Sequence, residues 1–418
     1  MISQQYNHRL KLKFLAICLI ALILPPFFSM LYTLFCFIKE KNTKFGILFI
    51  FFAVLFLTYN FFSIDNTARI LQAIDVFKPG VWYIGDPLTN FMGLGITTIN
   101  MQASLFYFIY ISCLYFFWLK TIESIVHNKF TTHIIVIFIT TISLRYSLDL
   151  LYYCLAVTFA LYFFTRKTKF NALKFLGCFV CIYILHPGFF LVLIPALVLA
   201  YSMKTKKWIY YASMVTIYLI YALLASGLTI ENTGIFFIDL AMNAFSKYTS
   251  DGYWGIRTEE SAIVGYSYTF IYYIVPSIYA IVFFLSVKYS KRIENKFILA
   301  IFQTAMIFYP NFINFVTLTE RDLLTLSISA IAASLMIVNV VKNKRFIKVG
   351  TVTLFCTLLF SFSSTIGGEA VFLHNVFKED SYQAIQKRSY YMPSFMLLNY
   401  ERYGYSNDFI IENRDIKF

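Results

Sequence analysis

Phe175-Leu-Gly-Cys178-Phe-Val-Cys181-Ile-Tyr-Ile-Leu-His186-Pro187-Gly188-Phe-Phe-Leu-Val-Leu-Ile-Pro195-Ala-Leu-Val-Leu-Ala-Tyr-Ser-Met203 decides what kind of chain this is. The stretch carries no Asp, Glu, Lys or Arg, and it lies between two basic clusters, Arg166, Lys167, Lys169, Lys174 before it and Lys204, Lys206, Lys207 after it. Roughly 20 apolar residues cross about 30 Å of hydrocarbon, so a run of this length belongs in a bilayer. Its centre, His186-Pro187-Gly188, is where a turn is expected, since proline lacks a backbone N–H. One straight helix would put the two basic clusters on opposite sides of the membrane and invert every later loop. Two short helices turning at His-Pro-Gly keep both clusters on one side.

Working outward, the whole chain follows the same pattern. Its 418 residues are 59% hydrophobic and 13% charged, too little polar surface to cover a water-soluble globule. Apolar runs fall at 14–38, 45–63, 101–122, 131–144, 146–165, 175–186, 188–203, 208–226, 262–287, 297–318, 323–341 and 349–366. The expectation is one all-α, polytopic integral membrane domain over 1–418, with about 12 transmembrane helices, some short or broken. The first run reads as a retained helix rather than a signal peptide, since no small-residue cleavage site follows it; a bend at Pro25-Pro26 would set the side of the N-terminus. The seven cysteines all lie in apolar runs, so Cys178 and Cys181 read as helix filler rather than a redox or zinc pair.

The net charge of +14 does not indicate nucleic acid, because the cations are placed by the positive-inside pattern. They cluster at Lys39, Lys41, Lys44; Lys120, Lys129; Arg166 to Lys174; Lys204 to Lys207; Lys288, Lys291, Arg292, Lys296; and Lys342, Lys344, Arg345, Lys348. Only Glu40, Glu123 and Glu294 accompany them. The remaining acids, Asp149 apart, fall in segments 64–100, 227–261, 319–322 and the tail 367–418, which therefore read as external. Segment 64–100 closes with Leu88 to Ile99, which resembles a short re-entrant element. Segment 227–261 mixes Glu231, Asp239, Asp251, Glu259 and Glu260 with Tyr253 and Trp254, a composition suited to a sugar-binding lip or to an interfacial aromatic belt.

Arg145 with Asp149 a turn later, His186 before its proline, and Arg321 between Glu320 and Asp322 sit at or near membrane-embedded turns. A charge at the bilayer centre costs about 2.5–3.5 kcal/mol on insertion scales, so such residues pair, snorkel or serve a cavity. Snorkelling or an Arg145–Asp149 pair, a capping histidine, and a tight charged turn Thr319-Glu-Arg-Asp322 are the structural readings. Two arginines and several carboxylates on one face favour a site that binds an anionic head group and activates a hydroxyl. The chain has no Gly-rich phosphate loop, Walker lysine or His-Glu-x-x-His, and no cluster of metal ligands, so no metal or cofactor is expected.

These elements, in this order, resemble the O-antigen and exopolysaccharide polymerases, the Wzy-type and EpsG-like membrane glycosyltransferases with a GT-C-like core. The likeness rests on Asp65-Asn66-Thr67-Ala68-Arg69, Asp86-Pro87-Leu88, Leu144-Arg145-Tyr146-Ser147, Leu185-His186-Pro187-Gly188-Phe189 with Pro195 beyond, and Glu320-Arg321-Asp322-Leu323. The glycine that often precedes the first Asp, and the glutamine after the mid-chain Arg, are missing. The resemblance implies a polymerase in the bacterial inner membrane with its site facing the periplasm. Its donor and acceptor would be polyprenyl-diphosphate-linked oligosaccharides, and a chain-length regulator protein would be a partner alongside the membrane lipids. Arg145, Arg321 and Arg69 would hold diphosphate, and His186, Asp65, Asp86 or Asp149 would act as base or acceptor orienter. A lipid-linked oligosaccharide flippase or other transporter, an O-antigen ligase and an acyltransferase share much of this outline and remain alternatives.

Overall fold

The computed structural model describes residues 2–40, 43–60, 70, 73, 87–125, 151–165, 172–225, 275–313, 316–341, 385, 387–404 and 406–412. In chain order these form α1 (Ile2–Ile23), α2 (Pro26–Glu40), α3 (Thr43–Asn60), α4 (Pro87–Ile99), α5 (Ala103–Ile125), α6 (Leu151–Thr165), α7 (Ala172–Leu185), a 3-10 turn (Pro187–Phe189), α8 (Phe190–Ser202), α9 (Lys207–Ala225), α10 (Val275–Tyr289), α11 (Lys296–Phe312), α12 (Val316–Val341), α13 (Ser394–Leu397), α14 (Tyr400–Tyr403) and α15 (Asn407–Glu412). No strand occurs among the described residues, as in an all-α membrane protein. Among the described residues three helices are long and apolar enough to cross a membrane, Ala103–Ile125, Lys207–Ala225 and Arg321–Val341, and several apolar helices are shorter. The expected runs at 131–144 and 349–366 lie outside the described residues.

The contacts divide into two compact units, Met1–Phe116 with Leu144–Leu151 and Gly368–Phe418, and Phe117–Ser143 with Tyr152–Gly367. In the first unit the run 14–38 is two helices rather than one, and of the two paths open to it the chain takes the one that turns at Pro25-Pro26. Neither Pro25 nor Pro26 can donate a backbone hydrogen bond, so the chain breaks there and α2 runs back along α1. Lys13 pairs with Glu40 at the open end of this hairpin. At its closed end the Ser29 hydroxyl donates to the Ala21 carbonyl, 2.5 Å, whose normal helical donor would have been the N–H that Pro25 lacks. The N-terminal half of α1 and the Lys39–Lys44 loop therefore share one end of the unit. α3 folds back in turn: Gly46 packs under the Phe37 ring, and Phe56 meets Phe27 with ring centroids 5.6 Å apart.

The C-terminal tail closes the opposite end of this unit. Ser394 donates its N–H (3.0 Å) and hydroxyl (2.6 Å) to the Leu24 carbonyl at the end of α1. The Tyr59 hydroxyl donates to the Leu397 carbonyl, 2.7 Å, and its ring stacks on Tyr400. Asn407 accepts from the Ala103 N–H at the start of α5, 3.0 Å, and donates to the Met101 carbonyl, 3.1 Å, so a distant side chain caps that helix. Just before it, α4 ends at Asn100, in the left-handed region at φ 51°, a conformation asparagine tolerates at helix ends.

In the second unit the chain breaks at His186, which is extended between α7 and the 3-10 turn. The two flanking helices have 14 and 13 residues, roughly 20 Å each at 1.5 Å per residue and well short of a bilayer core. Both outer ends return to the start of α11. Phe164 of α6 lies against Phe175 of α7 and Phe297 of α11, and Lys204 after α8 lies within Coulombic reach of Lys296. The Lys296 ammonium donates to the carbonyls of Ser290, Lys291 and Ile293, closing the basic loop between α10 and α11. Burial, with the Lys204 and Lys291 charges beside it, pushes this ammonium below the ordinary lysine value. Asn339 near the end of α12 donates to the Ile125 carbonyl, 3.1 Å, so the ends of α5 and α12 that precede basic clusters also meet.

Buried polar bonds fix the register of these helices. Tyr210 of α9 donates to Gln303 of α11, 2.8 Å, whose amide donates to Ser286 of α10, 2.8 Å. Pro195 inside α8 leaves the Leu191 carbonyl without its helical donor, and the Tyr221 hydroxyl of α9 supplies one at 2.7 Å. Tyr221→Phe should therefore destabilise the protein by about 1–3 kcal/mol through that orphaned carbonyl. In a Pro195→Ala background, where the backbone N–H is restored, the same change should cost much less. A thermal-unfolding double-mutant cycle checks this, and equal costs in both backgrounds would refute the account.

Candidate functional site

The structural reading of Thr319-Glu-Arg-Asp322 as a tight charged turn does not hold: α11 ends at Phe312 and α12 already begins at Val316. The Thr319 hydroxyl reaches back to the Phe312 carbonyl, 2.5 Å, tying the end of one helix to the first turns of the next. Arg321 and Asp322 thus stand on helical backbone, a firmer support than a loop. Thr325, one turn further, shares its hydroxyl between the Arg321 carbonyl, 3.3 Å, and the Tyr153 hydroxyl oxygen, 3.0 Å.

Tyr153 of α6 joins Arg321 to the His-Pro-Gly break. Its ring meets the His186 imidazole edge-on, centroids 5.2 Å apart at 88°, and the Phe189 ring at 5.8 Å. The imidazole folds over Gly188, where an added Cβ would stand 2.9 Å from the ring's Cε1 and 3.1 Å from Nδ1. Proline therefore ends α7, and glycine leaves room for the histidine ring that precedes it. Tyr153, Gly188, Leu191, Phe308, Leu318 and Arg321 line a cavity of about 20 Å³, room for a single water.

Asp322 is 1% exposed, and among the described residues neither carboxylate oxygen accepts a hydrogen bond. It lies within Coulombic reach of the hydroxyls of Tyr153 and Tyr221. Burying an ionisable group in an apolar helix lowers stability unless it is paired, so stability alone does not account for an aspartate here.

Of the residues singled out from the sequence, the structure brings His186 and Arg321 to one end of the second unit, through Tyr153. Asp65, Arg69, Asp86, Arg145 and Asp149 lie outside the described residues, though Pro87, after Asp86, opens α4. Tyr153, Tyr221 and Thr325 were not legible as site residues, since tyrosine is abundant at 32 copies and no spacing marks these two. Asp322 left a readable signal, as the sole acid in the apolar stretch Arg321–Val341. The described residues contain no group of His, Cys, Asp or Glu able to hold a metal ion. Comparison with family models, with curated proteins and with solved structures gives no match to this chain.

Proposed function

We propose that this chain is a polysaccharide polymerase of the bacterial inner membrane, joining polyprenyl-diphosphate-linked repeat units on the periplasmic face. The observation that supports it best is the grouping of Arg321, Asp322, Tyr153 and His186 at the end of the second unit opposite its basic loops. Basic loops face the cytoplasm, so this end meets the leaflet where lipid-linked units await joining.

In the reaction, a hydroxyl of the acceptor unit attacks the anomeric carbon of the growing chain. The bond from that carbon to the diphosphate oxygen breaks, its electrons leave with the polyprenyl diphosphate, and the hydroxyl proton passes to a protein base. Arg321 neutralises the charge that develops on the leaving diphosphate, since a guanidinium meets phosphate oxygens in bidentate fashion; Arg145 and Arg69, to which the resemblance gives the same task, lie outside the described residues. His186 takes the proton and orients the acceptor, a role for which the sequence also offers Asp65, Asp86 and Asp149, all outside the described residues.

A gel of surface polysaccharide from cells lacking the protein tests this reading. Loss of the ladder with retention of a core bearing one repeat unit is the expected result, because export and ligation still operate. Loss of every repeat, the first included, would indicate a flippase or a ligase, and an unchanged ladder would exclude a role in polymerising that glycan.

A further inference from the structure

The tail that closes the first unit carries two kinds of side chain. Ser394, Leu397 and Tyr400 are buried and fastened to Leu24 and Tyr59, as described above. Beside them Tyr391, Phe395 and Leu398 are exposed, Tyr391 at 64% and Phe395 at 54%. Packing against the unit does not account for large apolar side chains held in the open by buried neighbours on either side.

Their height along the helices identifies the partner. Ser394 is bonded to the carbonyl of Leu24, the residue after α1, and to the Ser29 hydroxyl in the first turn of α2, 3.2 Å. At that level the outer faces of α1 and α2 are themselves exposed and apolar, with Ile20, Ile23 at 65% and Phe28. The exposed tail residues therefore continue an apolar surface at the point where the hydrophobic helices end. Among the described residues of the tail, the exposed charged or amide side chains are Lys387, Asn399, Glu401, Arg402 and Asp408, with the Arg402 guanidinium 5.3 Å from the Tyr403 ring centroid. An apolar edge bordered by cations and aromatic rings is the composition of a segment lying in a membrane interface.

We infer that the segment from Lys387 to Arg402 lies in the lipid headgroup region at this end of the first unit, with Tyr391, Phe395 and Leu398 dipping into the acyl boundary. The partner is the bilayer itself, not a second protein, and the inference stands independently of the polymerase reading.

Emission of the full-length Phe395→Trp protein, minus that of the wild type, in phosphatidylcholine vesicles reports on the added indole. The expected result is strong loss of that emission in lipids brominated near the headgroup, weaker loss with mid-chain bromines, and little loss with aqueous iodide. A depth of roughly 5–10 Å below the surface corresponds to this pattern. Quenching by iodide but not by either bromolipid would place the tail in water, and protection from all three would show protein cover; either result overturns the inference. Leu398→Trp measured the same way guards against a local fault at one position, and Arg402→Trp, at the segment's polar edge, should be reached by iodide while still losing emission to the headgroup-brominated lipid.

Discussion

Arg321→Lys should abolish the polysaccharide ladder while the protein remains in the membrane at its normal level. The substitution keeps a positive charge and a good helix former at a position inside α12. Local backbone contacts are also kept, because Thr325 engages the Arg321 carbonyl rather than its guanidinium. What changes is the donor geometry: a planar fork that can bind two phosphate oxygens becomes a point charge. Removing one preorganised donor from a developing oxyanion typically costs about 10²–10³ in rate, roughly 2.7–4 kcal/mol, enough to empty the ladder above its first rungs. Measuring product length and protein level together separates this from misfolding, and a thermal melt of the purified variant should match the wild type. A full ladder in Arg321→Lys would remove Arg321 from the diphosphate site.

What the sequence discloses here is mostly local chemistry. The break at His186-Pro187-Gly188 is legible because proline and glycine act on their own backbone, whichever helices surround them. The same chemistry marks Pro25-Pro26, yet a bent helix and a full hairpin begin from the same two prolines. The choice depends on Lys13 meeting Glu40 and Ser29 meeting the Ala21 carbonyl, pairings that only the folded chain reveals. Thr319-Glu-Arg-Asp322 misleads for a related reason. Its polarity resembles a turn, but the buried Asp322 and the Thr319 bond to Phe312 belong to a helix already under way. Polar links between helices, such as Tyr210 to Gln303 to Ser286, leave no trace in periodicity, because their partners lie far apart in sequence. The apolar residues 392–398 indicate that the tail can dock; that it docks across the ends of α1, α3 and α5 is a tertiary fact.

Removing residues 385–418 should unfold the first unit rather than merely trim an accessory. Without the tail, the Leu24 carbonyl loses both Ser394 donors but keeps the Ser29 hydroxyl, 3.0 Å, while the Tyr59 hydroxyl loses its bond to Leu397 and the Ala103 N–H loses its Asn407 cap. Each buried group left unsatisfied costs about 1–3 kcal/mol, and the stacked Tyr400 ring is lost as well. Together these approach the roughly 5–15 kcal/mol that separates folded from unfolded chains in general. The truncated protein should therefore be scarce in the membrane and melt well below the full chain in detergent. Asn407→Ala, which deletes the cap on Ala103 and the bond to Met101 but keeps the rest of the tail, should lower stability by about 0.5–2 kcal/mol and leave the protein level near normal. A graded series, mild for Asn407→Ala and severe for the truncation, is the mark of a tail built into the fold. Truncated protein with a normal melting temperature and unchanged product would instead show that the tail's bonds to Leu24, Tyr59 and Ala103 contribute nothing the unit needs, since the groups they satisfy would then be hydrated without loss.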